Sequence, residues 1–340
     1  MLQSAETYRE VYENFQWRIP EFYNIGIDVC DKWAEERDRL ALIYEDEEGR
    51  VEKFTFWDLQ GLSNCLANTL KTHGINRGDR VGILLPQCPE TGLAHIAVYK
   101  LGAIAVPLFT LFGPEALEYR LDNSQAKGII TDAANVEKVL AIREKLPELE
   151  VIVQTKGDVA DGVLDFWEAL NKASNQLDSV STKAEDPALL IYTSGTTGPP
   201  KGALHAHRVL LGHMPGVEFP HNFFPQKGDM FWTPADFMRI SPPGPIIAIA
   251  TLLPYFLTRL GAVSYTPRPT RSPAGSHFAP SRDRCRIQYS PSGGWSSRMR
   301  ACMPICAICR PVRPPALASL MPPVRGDFPP TEMRSVEESM

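Results

Sequence analysis

The sequence predicts an α/β fold with a mostly parallel sheet that is covered by helices on both faces. Short apolar runs of about five residues alternate with stretches of helical periodicity, and Gly and Pro mark the boundaries between them. A glycine-rich loop directly follows one of these apolar runs. Strand–helix–strand units of this kind cross over right-handedly, and their sheets bind ligands beyond the carboxyl ends of the strands.

Apolar spacing and the positions of Gly and Pro predict a helix, a strand and a second helix between residues 56 and 102. In segment 56–74 leucines recur at helical spacing, and Gly74 marks the stop. The apolar run VGILLP at 81–86 follows the turn signal NRGD and suits a buried strand. The next helix has Pro89 near its start and Gly102 just past its end, as helix termini favour. The leucine stripe of the first helix is Leu59, Leu62, Leu66 and Leu70.

The same alternation continues to the glycine-rich loop. Pro114 opens a helix in which Leu117 and Leu121 are four residues apart, so they share one face. The remaining runs have the lengths expected of strands and helices. The predicted strands are 81–86, 103–108, 127–131, 150–154 and 188–194, and the predicted helices are 56–74, 89–102, 114–124, 135–146 and 164–173.

The composition changes abruptly near residue 238. Residues 1–238 carry 22 Lys and Arg against 35 Asp and Glu, a net charge of −13, whereas residues 239–340 carry 13 against 5, a net charge of +8. All 13 basic residues of the second part are Arg, and 17 of its 102 residues are Pro. Because Pro at this density breaks helices and central strands, we expect a partial α/β domain at 1–238 and an irregular, disordered or out-of-frame tail at 239–340.

Several protein classes are disfavoured by the sequence. The polar start MLQSAETYREVYENF lacks the apolar region of a secretory signal, and the longest apolar run, 246–257, is too short for a membrane span. Seven cysteines in 340 residues do not indicate a disulfide scaffold. We therefore expect a reduced, cytoplasmic protein with no membrane span; the sequence makes no prediction of its oligomeric state.

The loop TSGTTGPPKG at 193–202 has the residue types of a phosphate-binding site. Its glycines let backbone N–H groups approach a ligand and form an anion-binding nest, and its hydroxyls add donors. The lysine supplies a positive charge, and the two prolines stiffen the exit of the loop. The residues expected to hold phosphate are Thr193, Ser194, Gly195, Thr196, Thr197, Gly198 and Lys201.

The loop is not a Walker A motif. Counting from Gly195 places Pro200 at the second glycine and Gly202 at the residue that binds magnesium in that motif. A flexible Ser/Thr/Gly turn with a solvated lysine is the alternative interpretation of these ten residues.

The order of residues around the loop resembles one family. LLIYTSGTTGPPKGALHAHR at 189–208 is similar to the phosphate-binding signature of the AMP-forming acyl-CoA synthetases, which belong to the adenylate-forming superfamily, with Ala203 and Ala206 as small departures. Other segments resemble family segments in family order: KFTFWDL at 53–59, GINRGDRVGILLPQCPE at 74–90, YKLGAIAVPLF at 99–109 and FWTPADF at 231–237. The resemblance covers about residues 20–237 and is closest to short- and medium-chain and acetyl-CoA synthetase-like proteins.

The resemblance implies a two-step ligase that uses ATP, Mg²⁺ and coenzyme A. A small carboxylic acid, acetate or a short- or medium-chain fatty acid, would form an acyl-adenylate and pyrophosphate, and the coenzyme A thiol would then displace AMP. The loop residues would hold the β- and γ-phosphates, and Lys201 would neutralise the leaving pyrophosphate. His207 matches a family histidine near the acyl and adenylate pocket; a buried, hydrogen-bonding structural histidine is the alternative. His205, His213 and His221 match nothing in the family and are expected at the surface or in a structural role.

The resemblance stops after Phe237. The adenine, ribose and magnesium motifs of the family, its hinge and its small C-terminal domain with the catalytic lysine are missing, so no catalytic residue is predicted. An Arg- and Pro-rich tail is typical of a GC-rich gene read out of frame, which suggests a frameshift near codon 238. Two function classes therefore remain: an acyl-CoA synthetase that lacks normal activity, and a non-catalytic nucleotide-binding remnant or defective fragment.

Two other interpretations of the tail are weaker. Its charge of +8 suits nucleic acid, but no basic helix face is present and aromatic residues are few. Cys285, Cys302, Cys306 and Cys309 lack the paired spacing of a zinc site. We expect neither nucleic-acid binding nor a bound metal.

Overall fold

The structure is a computed structural model that describes residues 2–46, 48–193, 198–220, 222–223 and 264–265. These residues belong to one compact unit, residues 1–308. The second unit, residues 309–340, lies outside the described residues, as do nearly all of the predicted tail and its four cysteines.

The main sheet of the described residues has seven strands in the order β7-β6-β5-β3-β4-β8-β9. All neighbours in it are parallel except β8 and β9, which form an antiparallel hairpin at one edge. The strands are β1 (Leu40–Glu45), β2 (Val51–Thr55), β3 (Arg80–Leu84), β4 (Ile104–Pro107), β5 (Ala126–Thr131), β6 (Val151–Gln154), β7 (Leu164–Asp165), β8 (Pro187–Thr193), β9 (Lys201–Ala206) and β10 (Ser264–Tyr265). The prediction of a mostly parallel sheet is confirmed.

Helices cover both faces of this sheet. Successive strand residues point to opposite faces, so Ile130 joins the core under α3, α4 and α7, whereas Ile129 joins the core under α5 and α6. The helices are α1 (Tyr8–Asn14), α2 (Ile25–Val29), α3 (Phe56–Thr72), α4 (Pro89–Lys100), α5 (Pro114–Ser124), α6 (Val136–Leu140), α7 (Phe166–Lys172) and α8 (Val209–Glu218), with 3-10 turns at Asp31–Trp33 and Arg143–Lys145.

A small second sheet joins β1, β2 and β10. β1 and β2 are antiparallel, and the backbone of Ser264–Tyr265 pairs parallel with Ile43–Tyr44. This short pairing is the described part of the region that the sequence assigned to the tail.

The predicted strands and helices are present, with three differences. The helix expected at 135–146 is broken, because Pro147 forces Leu146 out of the helical conformation and the last turn tightens to a 3-10 turn at Arg143–Lys145. The helix expected from Leu164 begins at Phe166, because Leu164 and Asp165 pair with β6 and the Asp165 side chain caps the helix. After Pro200, where the sequence predicted no strand, the chain continues as strand β9.

Candidate phosphate-binding site

The predicted phosphate loop connects the two strands of the β8–β9 hairpin. Thr193 ends β8 at the carboxyl edge of the parallel sheet, and Lys201 begins β9 directly opposite it in the ladder. Four of the predicted loop residues lie outside the described residues: Ser194, Gly195, Thr196 and Thr197. The structure thus brings Thr193 and Lys201 together at the edge where sheets of this type bind ligands.

The Lys201 backbone is held while its side chain is exposed. The Thr193 hydroxyl donates a long hydrogen bond to the Lys201 carbonyl oxygen, with 3.5 Å between the two oxygens. The ammonium group makes no ion pair or hydrogen bond with any of the described residues. An exposed, uncompensated ammonium on a fixed strand is suited to bind an anion.

Two glycines shape the described part of the loop exit. Gly198 has φ = +88°, a left-handed conformation that favours glycine. A Cβ on Gly202 would lie 2.9 Å from Cδ1 of Leu190 on β8, so a side chain there would require the Leu190 side chain to move. Pro199 and Pro200, between the glycines, restrict the backbone further.

Helix α5 packs against this hairpin, which the sequence did not predict. The Tyr119 hydroxyl donates to the Pro200 carbonyl oxygen at 2.9 Å, and the Tyr192 hydroxyl donates to Oδ1 of Asn123 at 2.7 Å. The rings of Tyr119 and Tyr192 pack edge to face with their centroids 6.4 Å apart. The segment PEALEYRLDNS showed only a helical apolar stripe, and no signal in it identified its partner 81 residues away.

Arg120 is a nearly buried cation beside the same hairpin. Its guanidinium lies 4.0 Å from the Phe112 ring centroid and 5.8 Å from that of Tyr192, and Nη1 donates to the Ala116 carbonyl oxygen at 2.7 Å. Burial lowers the pKa of Arg120, and the nearby Tyr192 and Tyr119 oppose that shift. Among the described residues, the Arg120 guanidinium contacts aromatic rings and makes no ion pair with a carboxylate. These contacts connect α5 to Phe112 and to the end of β8.

His207 is not brought together with the loop. It follows β9, whose six residues span about 20 Å, so it lies at the opposite end of the hairpin from Lys201. The ring is fully buried, and its Nδ1 accepts a hydrogen bond from the backbone N–H of Ile25, at the start of α2, at 3.2 Å. In the neutral ring the proton is therefore on Nε2, which has no hydrogen-bond partner among the described residues. This environment is that of a core histidine, and its predicted role in the acyl and adenylate pocket stays a prediction.

Burial keeps His207 neutral. It lowers the pKa of the imidazole to about 4, with Asp186 opposing and Arg77 adding to the shift. Burial also lowers the pKa of the half-buried His205 and His213, which the sequence placed at the surface or in a structural role. His221 lies outside the described residues.

Two negative findings apply to the part of the chain that the structure describes. It contains no group of three or more His, Cys, Asp or Glu side chains placed to hold a metal ion. None of its helices combines the length and the apolar composition needed to cross a membrane.

Comparison with known proteins identifies one family. The model of the AMP-binding enzyme family matches residues 30–271, which includes the hairpin. The resemblance, which was expected to stop after Phe237, therefore continues to residue 271. The acetyl-coenzyme A synthetase of Bacillus subtilis (strain 168) is 34% identical over 247 residues, which cover 68% of this chain and 42% of the relative.

Solved structures agree with this match. An acyl-CoA synthetase of Brucella canis is similar with a TM-score of 0.65 and 27% identity, over 77% of this chain and 48% of that one. An anthranilate-CoA ligase in complex with anthranoyl-AMP gives a TM-score of 0.63 and 25% identity, over 74% of this chain and 46% of the ligase. The chain thus spans less than half the length of each of these proteins.

Proposed function

Because the chain belongs to the AMP-binding enzyme family, we propose that its β8–β9 hairpin binds the triphosphate of ATP as part of an AMP-forming acyl-CoA synthetase. The observation that carries this proposal is the pairing of Thr193 with Lys201 at the carboxyl edge of the sheet, with the lysine ammonium exposed and without a described partner. The family match and the similar ligases support it.

The loop residues and Lys201 have different proposed roles in binding the triphosphate. Thr193, Ser194, Gly195, Thr196, Thr197 and Gly198 would surround the β- and γ-phosphates with hydroxyl and backbone donors. Lys201 would neutralise negative charge that moves onto the leaving pyrophosphate, which is where charge stabilisation lowers the barrier. Mg²⁺ would enter as the complex with ATP.

The complete reaction has two displacements. A carboxylate oxygen attacks the α-phosphorus of ATP, and the bond from that phosphorus to the bridging oxygen breaks, so pyrophosphate leaves with the electron pair. The coenzyme A thiol, losing its proton to solvent, then attacks the acyl carbon, and the carbon–oxygen bond to AMP breaks. We propose acetate and short- or medium-chain fatty acids as the carboxylates, on the basis of the similarity to acetyl-coenzyme A synthetases.

We propose that this chain alone binds ATP and does not complete the reaction. It spans 42% of its acetyl-coenzyme A synthetase relative, and the sequence after Phe237 lacks the adenine, ribose and catalytic-lysine motifs. Catalytic groups that act as a unit lose far more than their proportional share when some are removed. A non-catalytic nucleotide-binding remnant is thus the second candidate, and it shares the same site.

Two measurements test the proposed ATP binding and the proposed absence of turnover. Calorimetry measures binding of Mg²⁺–ATP, and a pyrophosphate-release assay measures turnover with acetate, butyrate and octanoate. We expect ATP binding without turnover. Turnover with any of the three acids would contradict the inactivity, and absence of ATP binding would contradict the proposed site.

We also propose that the composition break near residue 238 reflects a change of reading frame. The nucleotide sequence from about codon 230 onward tests this. A shifted frame that encodes the missing motifs is the expected result, and their absence from every frame would reject it.

We propose a cytoplasmic location, since the described cysteines Cys30, Cys65 and Cys88 are all unpaired.

A further inference from the structure

Tyr119 contacts the backbone immediately before Lys201. Its hydroxyl donates to the Pro200 carbonyl oxygen at 2.9 Å, and that carbonyl belongs to the peptide unit that enters Lys201. The ring is half-buried, and the Tyr192 ring supports it at 6.4 Å between centroids. The hydrogen bond therefore joins helix α5 to the exit of the phosphate loop.

The contact fixes the peptide that carries the lysine. Tyr119 holds the carbonyl on one side of Lys201, the Thr193 hydroxyl lies 3.5 Å from the carbonyl on the other side, and Pro199 and Pro200 restrict the backbone torsions that precede Lys201. The backbone of Lys201 is therefore held in place, and only its side chain can change conformation. A cation whose backbone is already ordered loses less conformational entropy when it binds an anion.

We propose that Tyr119 is a positioning residue for the nucleotide phosphates, acting through Pro200 on Lys201 without touching the ligand. This inference rests on the proposed function of the hairpin. Tyr192 provides a matched comparison, because its hydroxyl bonds to Asn123 on α5 and not to the loop exit. The two tyrosines share one ring contact and differ in what their hydroxyl groups hold.

The test uses the full chain and four variants: Y119F, Y192F, K201A and the double variant Y119F/K201A. Calorimetry measures the affinity for Mg²⁺–ATP and for Mg²⁺–pyrophosphate, and thermal melting measures stability. One lost hydrogen bond of ordinary strength corresponds to a change of about threefold to tenfold in affinity. We expect Y119F to weaken both ligands by that factor and Y192F to change them less than twofold. In the K201A background, Y119F is expected to add nothing, because the residue it acts through is gone.

Three results would overturn the inference while wild-type binding is intact: unchanged affinity in Y119F, an equal loss in Y192F, or an additive loss in the double variant. Failure of the wild-type chain to bind either ligand would instead reject the proposed function, and Tyr119 with it. If Y119F melts at a much lower temperature, both ligands are titrated well below that temperature, where the variant is folded. Wild-type affinity in folded Y119F would contradict the role.

Discussion

Gly26 shows how closely single residues are packed in the core beside the hairpin. A Cβ on Gly26 would lie 2.8 Å from the Ile96 carbonyl oxygen and 2.9 Å from Cγ of Lys100. The backbone oxygen cannot move without disturbing α4. We expect Gly26→Ala to destabilise the fold by about 1–3 kcal/mol, the usual cost of overpacking, as measured by urea unfolding.

Gly61 in α3 is the matched control, since a Cβ there would meet nothing within 4 Å. Gly61→Ala is expected to stabilise the fold by about 1 kcal/mol, because glycine inside a helix is unfavourable relative to alanine. Equal effects of the two substitutions would contradict the packing argument.

At the residue scale, the sequence predicted which residues carry the chemistry of the phosphate loop, but it did not predict which residues contact the loop in the folded chain. Thr193 and Lys201 belong to a local pattern of ten residues, so residue order was sufficient to select them. Tyr119 was not selected, because its role depends on a partner 81 residues away. His207 matched a family position through the resemblance of segment 189–208, yet its burial and its bond to Ile25 depend on tertiary packing that this segment does not encode.

At the scale of elements, a buried lysine ties α3 and α4 to the 3-10 turn at Asp31–Trp33. Lys100 is fully buried, and its ammonium lies 2.6 Å from Oδ1 of Asp31 and 2.8 Å from Oγ of Ser63 and from Oδ1 of Asn64. Removing the carboxylate leaves a buried cation without its counter-charge. We expect Asp31→Ala to destabilise the fold by about 3–5 kcal/mol, measured by urea unfolding.

The double variant Asp31→Ala, Lys100→Met removes the unpaired charge and is expected to recover much of the loss. The neighbouring pair of exposed Lys32 and half-buried Asp28 is the control: Lys32→Ala is expected to change stability by less than about 1 kcal/mol. A loss as large in Lys32→Ala, or no recovery in the double variant, would contradict the role of the buried pair.

Strands and helices with a strong apolar pattern were predictable, and weakly patterned ones were not. The helix at 89–102 has Pro and Gly at its ends, and it was placed correctly as Pro89–Lys100. Strand β7 has two residues, and four of the six residues of β9 are exposed, so neither carries a clear alternation of apolar and polar residues. Pairing with a neighbouring strand, rather than the local pattern, determines both.

At the scale of the whole molecule, buried histidines make stability depend on pH. Burial lowers the pKa of His95 and of His207 to about 4 in the folded chain. As the pH falls below about 6.5, the unfolded chain binds protons that the folded chain does not, so the free energy of unfolding decreases. We expect a loss of up to about 3 kcal/mol for each histidine between pH 6.5 and 4.

Urea unfolding at pH 7.5, 6.5, 5.5 and 4.5 measures this loss. The variants His95→Gln and His207→Asn are each expected to flatten the dependence between pH 6.5 and 5.5, where ordinary carboxylates do not yet titrate. A free energy of unfolding that stays constant or rises across that interval would contradict the assignment of both rings as neutral core groups.

The functional proposal depends on the hairpin at the edge of the sheet. Calorimetry with a variant in which alanine replaces Lys201 tests whether this hairpin binds ATP. ATP and adenosine are titrated into the wild-type chain, into Lys201→Ala, and into Lys53→Ala, which removes an exposed lysine from β2 instead. We expect Lys201→Ala to weaken ATP binding about tenfold or more, as for a charge-assisted contact, to leave any adenosine binding unchanged, and Lys53→Ala to alter neither. Wild-type affinity for ATP in Lys201→Ala would show that the ammonium does not hold the phosphates.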